Sequence, residues 1–402
     1  MKKINILLAV ILIGGVILSL GGVILVSQAQ SKPMSRKIVV FKSGVDEQTK
    51  EVLIKKSGVE KIKDLRLVNG RVVLLTIEAE KSLARHKDIL RIEDDVVVFI
   101  PPLENSVNSI RSFKRAAFIQ PAQVLSWGID RIDAEKVWAT STADTIKVAI
   151  IDTGIDRTHR DLIDNLKGGF SAVGYTTSFN DDNGHGTHVA GIVGAIDNTI
   201  GVIGVGPKID LYAVKVLDRR GSGYLSDVIE GLDWAIANNM QVINMSLGTT
   251  VNTPSFWEAI QRVNSAGITQ VAAAGNSGGS VNYPAAYLEV IAVSATDIYD
   301  NVPSWSSRGS EVDLSAPGVS IYSTYKGGKY KTLSGTSMAA PHVAGVAALV
   351  IDKKTCDYDL DGICSPAEVQ QRLEATAEDL GATGRDNLYG FGLIDTEKAI
   401  TP

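Results

Sequence analysis

Residues 148–154 read VAIIDTG: four apolar residues, then Asp152, Thr153 and Gly154. Ile146 precedes the apolar run, across the single polar residue Lys147. A short unbroken run of this kind is the pattern of a strand buried on both faces, which belongs to a parallel sheet. Asp152 falls where the strand ends. Open α/β sheets build their sites at the carboxyl ends of strands. An aspartate there also caps ordinary turns, so on its own it identifies nothing. Similar runs recur at 211–217, 241–245, 270–274 and 290–293. Between them Leu225, Val228, Ile229, Leu232 and Ile236 keep one helical face. Strands alternating with helices predict an α/β domain with a central parallel sheet over residues 122–402.

Upstream, residues 36–100 read as a separate, small α+β unit. Strands are expected at 37–41, 65–68, 71–77 and 96–100, and helices at 46–56 and 80–90. Asn69-Gly70 is a hairpin signal. The order βαββαβ is that of a ferredoxin-like sandwich. Residues 101–121 carry Pro, Ser, Asn and basic residues without periodicity, as an exposed linker does. Residues 1–30 read as a targeting segment: Lys2 and Lys3 precede an apolar run, and Ser27-Gln28-Ala29 resembles a cleavage site. The run also has the length of a membrane span, so a cleaved signal peptide and an uncleaved membrane anchor are both open. Either way the lysines place the rest of the chain outside the cytoplasm. The chain has 402 residues and a formal charge of −5, with no long basic run, so nucleic acid is not an expected partner. Its two cysteines, Cys356 and Cys364, are either one local bridge or two free thiols.

Two further segments carry chemistry. Residues 183–191 (NGHGTHVAG) put His185 among glycines at an expected helix start. His185 and His188 at i and i+3 admit a metal site, but no Glu lies between them, so this is not the HExxH zinc pattern. Residues 334–345 (SGTSMAAPHVAG) place Ser337 at the start of a helix of small residues. Partial positive charge and free N–H groups gather at such a helix end. A serine hydroxyl needs a base within hydrogen-bond reach, and the base needs an orienting carboxylate. The G-x-S-x-G elbow of α/β-hydrolases is absent, since Ala339 stands at its last position, which argues against an esterase of that type.

Taken in the order Asp…His…Ser, the three segments resemble the subtilisin family (subtilases) over about residues 127–399. The resemblance implies a serine endopeptidase with polypeptide substrates. Ser337 would attack the scissile carbonyl, His185 would carry the proton, and Asp152 would fix the imidazole tautomer. Asn276 would donate its amide to the developing oxyanion, and Gly275 before it would bind substrate. Gly221-Ser222-Gly223 and Ser246-Leu247-Gly248 would be two edges gripping an extended peptide, and Asn282 would floor the first specificity pocket. The unit at 36–100 would be an intramolecular inhibitor and folding assistant, cut off by the enzyme itself within 100–122.

Calcium is expected at two places. Asp357, Asp359, Asp361, Gly362 and Glu368 fit positions 1, 3, 5, 6 and 12 of a twelve-residue calcium loop, with the Ile363 carbonyl at position 7. The same residues would serve a capped acidic turn. The loop forms an insertion at 356–368. A second site follows from the family resemblance alone, with ligands from Gln123, Asp161, Ile196, Asn198, Ile200 and Val202.

Overall fold

The computed structural model describes residues 33–102 and 120–401; the targeting segment at 1–30 and most of the 101–121 linker lie outside the described residues. Seven parallel strands form the central sheet, in the order Leu314–Pro317, Ile291–Thr296, Thr269–Ala273, Val242–Met245, Lys147–Asp152, Asp210–Lys215, Leu166–Ser171. The period of two along a strand sends alternate residues to opposite cores. Val148 and Ile150 face one core with the helices His185–Gly194 and Thr336–Lys353. Ala149 and Ile151 face the other with the helices Leu225–Ala237 and Pro254–Ser265. The expected α/β class therefore holds. The sequence had offered no signal for the outer strands Leu166–Ser171 and Leu314–Pro317, whose runs contain Lys, Gly, Ser and Pro.

The small unit is a four-stranded antiparallel sheet with the connectivity expected of it, but with shifted boundaries. Its strands are Met34–Phe41, Glu60–Leu65, Gly70–Thr76 and Ile89–Asp94. The hairpin is wider than the Asn69-Gly70 signal suggested: residues 66–68 form a helical turn, and left-handed Asn69 closes it. The helix expected at 80–90 instead spans Ile77–Leu83, because Thr76 caps it by accepting from Ala79 N. Residues 89 and 90 begin the last strand of the sheet. The strand expected at 96–100 does not join this sheet. Val97–Phe99 pairs antiparallel with Ser222–Tyr224 of the large domain.

The two units share apolar surface. Ile38, Val40, Leu65, Leu67, Val68 and Val72 of the small sheet pack with Leu225, Leu232, Phe256 and Ile260 of the two helices beneath. Carboxylates of the small unit meet both helix N-termini. Asp95 Oδ1 accepts from Ser226 N at 2.9 Å, and Glu93 Oε2 accepts from Ser255 N at 3.2 Å. Unpaired N–H groups and the helix dipole both favour an anion there. Among the described residues no helix is long and apolar enough to cross a membrane.

Two buried histidines tie the first core together. His188 Nε2 lies 3.1 Å from Ile321 O and 2.9 Å from Lys331 O, both in the hairpin 321–333. His342 Nδ1 lies 2.8 Å from Met338 O, one turn back in its own helix. Burial pushes His188 down to about 3 and His342 down to about 4, against an ordinary value of 6.5. Both rings are neutral in the fold, whereas the unfolded chain protonates them below about pH 6.5. The unfolded state thus binds more protons between about pH 6.5 and 4, and stability falls as pH falls through that window. Scanning calorimetry at pH 7 and at pH 5 should find a lower unfolding temperature at pH 5, with a smaller drop in His342→Gln; equal drops in the two proteins would contradict it.

Candidate active site

Asp152 ends its strand at the carboxyl edge of the sheet, and His185 begins the helix that crosses that edge. The pair is buried, at 0% and 1% exposure. His185 Nδ1 lies 2.9 Å from each Asp152 oxygen. Thr153 N also donates to Asp152 Oδ1 at 2.6 Å. A carboxylate on Nδ1 leaves Nε2 as the nitrogen free to accept a proton. Nε2 is buried and has no hydrogen-bond partner.

Ser337 is the second residue of the helix Thr336–Lys353, among the first N–H groups that have no partner inside a helix. Its hydroxyl donates to Ser246 O at 3.2 Å rather than to His185. Its carbonyl is engaged as well. Four residues on, Pro341 has no N–H to give it, and Ser246 Oγ donates to Ser337 O at 2.9 Å instead. The helix start is thereby fastened to the segment that follows the central strand.

Asn276 is held in one orientation. Its Oδ1 accepts from Thr336 N at 2.9 Å and from Thr336 Oγ1 at 2.8 Å, so its Nδ2 must point the other way. Nδ2 donates to Pro102 O at 3.0 Å. Thr336 was not singled out in the sequence, although it sits beside Ser337 in the quoted motif. Gly275, at φ +117°, lies in close packing: a Cβ there would sit 2.8 Å from Asn282 Nδ2. Asn282 also approaches Gly248, filling the space between these two walls.

The two expected edges flank residues 97–102. On one side Val98 is paired with Gly223 and Phe99 with Ser222, and Gly221 O accepts from Ile100 N at 2.9 Å. On the other, Phe99 and Gly248 exchange both backbone hydrogen bonds at 3.0 Å. Leu247 is fully buried in the core and offers the cleft only backbone. His188 Nε2 faces the hairpin carbonyls and His185 Nδ1 faces Asp152, so the two rings are engaged with different partners.

The acidic insertion gathers three aspartates. One carboxylate oxygen from each of Asp357, Asp359 and Asp361 lies within 4.8 Å of the others. Asp357 Oδ1 is buried without a partner. Glu368 stands outside this cluster, because its carboxylate completes the capping box with Ser365, and its other oxygen accepts from Tyr358 N. Ile363 N donates to Asp361 Oδ1 at 2.7 Å. Cys356 and Cys364 are disulfide-bonded and bracket the loop.

The other expected calcium residues also meet. Asp161 accepts from Asn198 Nδ2 at 2.8 Å and from Val202 N at 2.9 Å, and Gln123 Oε1 accepts from Asn198 N at 2.9 Å. Asn198 Oδ1 accepts from Ile200 N, and Ile196 N donates to Asp161 O. Burial pushes the Asp161 carboxyl up.

A family model described as the subtilase family matches residues 143–392. Subtilisin E of Bacillus subtilis is 40% identical over 385 residues, 93% of each chain. Subtilisin Savinase of Lederbergia lenta is 47% identical over 280 residues, 69% of this chain and 99% of its own. The minor extracellular protease Epr of Bacillus subtilis is 38% identical over 384 residues, which are 93% of this chain and 56% of the relative, so this chain spans little more than half of that protein. With a Ser-His-Asp set at the carboxyl edge of a parallel sheet and this degree of likeness, the chain belongs to the subtilase family and is a serine endopeptidase of that family.

Proposed function

We propose that the chain is an exported endopeptidase that cuts extended polypeptides through an acyl-enzyme and is made as a self-processed precursor. One observation carries this reading. Residues 97–102 of the chain itself lie across the cleft as a strand between both edges, with the Pro102 carbonyl on Asn276 Nδ2. A polypeptide substrate entering the same way would be held by strand addition, through backbone bonds that any sequence can make, and specificity would be broad.

In the reaction, Ser337 Oγ adds to the scissile carbonyl while His185 Nε2 takes its proton. Asp152 holds the imidazole tautomer and stabilises its cation. Asn276 Nδ2 and the Ser337 N–H meet the charge that develops on oxygen. His185 then protonates the leaving amine, and water repeats the sequence on the ester. His188 and His342 take no part, since burial keeps both neutral and they face backbone carbonyls.

The small unit 36–100 acts as the inhibitor of this cleft, and the segment 97–102 is its plug. The carbonyl presented to Asn276 is that of Pro102, so the bond offered for the first cut is Pro102–Leu103. The plug is a poor substrate for a physical reason. N–H groups along a strand alternate between its two neighbours: Phe99 gives to Gly248 and Ile100 to Gly221. The next would go to the Ser246 side, but Pro101 has none. Ser246 O accepts the Ser337 hydroxyl instead, drawing the nucleophile off His185. Export rests on the Lys-flanked apolar segment at the N-terminus and on the extracellular relative; a retained segment would leave the enzyme tethered, facing outward.

Calcium is proposed as a structural ion. Asp357, Asp359 and Asp361, with one buried oxygen unpartnered, fit a hard cation, with the Ile363 carbonyl and Glu368 flanking them. Gln123, Asp161, Asn198 and the carbonyls of Ile196, Ile200 and Val202 form a second all-oxygen set. A cation would offset the burial of the single Asp161 carboxylate. Bound calcium would add charge balance and cross-links between loops.

Four outcomes are expected. Precursor processing, followed by mass spectrometry, occurs in wild type with a new N-terminus at Leu103 and is abolished in Ser337→Ala; equal processing of both would end the self-cleavage reading. In the same assay Pro101→Ala restores one N–H and speeds the first cut about five- to tenfold, the worth of roughly 1 kcal/mol, and Asn276→Ala lowers kcat on peptide substrates by about 10²–10³. Chelator lowers the unfolding temperature of the mature enzyme, since calcium bound only by the folded state stabilises it; superimposable melting curves with and without chelator would remove calcium from the account.

A further inference from the structure

Asp181 lies in the loop that leads into the helix of His185, and it is 4% exposed. It touches neither Asp152 nor His185 through any hydrogen bond. Its two oxygens nevertheless accept five. Oδ1 accepts from Thr153 Oγ1 at 3.0 Å, from Asn183 N at 2.9 Å and from Gly184 N at 2.8 Å. Oδ2 accepts from Thr187 N at 3.0 Å and from Thr187 Oγ1 at 2.6 Å. Among the described residues no ion pair is made to it, so these donors and the helix end are what compensate its charge.

The partners lie on both sides of the catalytic pair. Thr153 follows Asp152 in the chain, and its N–H holds Asp152 Oδ1. Asn183, Gly184 and Thr187 surround His185 at the start of its helix. The Thr153 hydroxyl is the bridge: it donates to Asp181 and accepts from Gly186 N at 2.9 Å. Thr187 Oγ1 closes a second path, accepting from Asp156 N at 3.0 Å, just beyond the strand end. One carboxylate therefore links the end of the strand that carries Asp152 to the first turn of the helix that carries His185.

We propose that Asp181 is a positioning residue, which holds the Asp152–His185 pair in register by tying Thr153 to the first turn of the helix. The proposal rests on the roles given to Asp152 and His185 above. Three of the five partners are N–H groups, which can only donate: Asn183 N and Gly184 N on Oδ1, and Thr187 N on Oδ2, so both oxygens have to accept. An asparagine would face at least one of those N–H groups with its own N–H₂ group. Displacing a base by a fraction of its bond length costs turnover and not binding, since the edges that hold the peptide are elsewhere.

The test uses secreted, processed protein from the full chain, with each preparation normalised to active sites by a serine-directed covalent titrant. Asp181→Asn should lower kcat about 10- to 100-fold, with KM within about twofold of wild type. Thr153→Val, which removes only the bridging hydroxyl, should lower kcat in the same way. Thr153→Ser, which restores it, should recover most of that loss. If Asp181→Asn does not fold, the Thr153 pair decides alone. Unchanged kcat per titrated site in Asp181→Asn, or in Thr153→Val, would overturn the proposal, as would failure of Thr153→Ser to recover more than Thr153→Val. The Ser337→Ala precursor, compared at equal protein concentration, keeps the two readings apart: processing or titrant uptake there would end the assigned mechanism itself, whereas their loss there with a fully active Asp181→Asn would end only the positioning role.

Discussion

How near the helix His185–Gly194 can come to the end of the strand Lys147–Asp152 governs the rest of the site. The approach runs through Gly186. A Cβ at that position would be driven into Gly154 O and would stand 3.1 Å from both Cβ and Oδ1 of Asp152. With hydrogen in its place the helix end settles onto the strand end, and the His185 ring reaches the carboxylate at 2.9 Å. The same contact removes water from both groups. A buried carboxylate and imidazole interact more strongly than in solvent, and either would be costly to leave unpaired. The hydrogen bonds around Thr153 and Asp181 then have a defined task, since close packing without them would fix the distance but not the angle.

The second helix obeys a different constraint. Pro341 lies inside the helix Thr336–Lys353 and removes one backbone donor. The freed Ser337 carbonyl is met by Ser246 Oγ, and the Ser337 hydroxyl meets Ser246 O in return. A residue that would weaken an isolated helix here anchors its N-terminus to the central strand. Thr336 does the same toward Asn276. Three segments distant in sequence converge on one small volume, and His185 Nε2 is buried beside them without a hydrogen-bond partner.

The small N-terminal unit is joined to the large one by two unlike kinds of contact. Apolar side chains of its sheet cover the two surface helices, and Asp95 and Glu93 meet their N-termini. Lys63 adds contacts to Asp227 and Glu230 at 2.6 Å. Burial pushes Asp227 up, and the nearby Lys63 ammonium opposes that push. These contacts aim residues 97–102 into the cleft, where a lone short strand would gain little. A three-residue strand pairing with three residues of one edge is marginal in water, so its place depends on the unit behind it.

Much was legible in the linear chain. Apolar runs named five of the seven strands, because a strand buried on both faces needs no polar residue. The spacing of glycines and small residues marked His185 and Ser337, because close packing at a helix start leaves little choice of side chain. The Asp-rich insertion was equally plain, being local. Contacts between distant segments were not. Residues 96–100 carried a strand pattern, but their partner at 222–224 is more than a hundred residues away, and periodicity names no partner. Helix 77–83 ended early because tertiary pairing drew 89–94 into the sheet. Asp181 looked like any loop aspartate, since its five donors come together only in the fold. The sequence by itself determined five strands of the sheet and supplied the Asp, His and Ser that the proposed chemistry uses. The tertiary structure alone decided which carbonyl stands before Asn276 and which carboxylate holds the pair in register, because hydrogen bonds depend on distance and direction and the order of residues along a chain specifies neither.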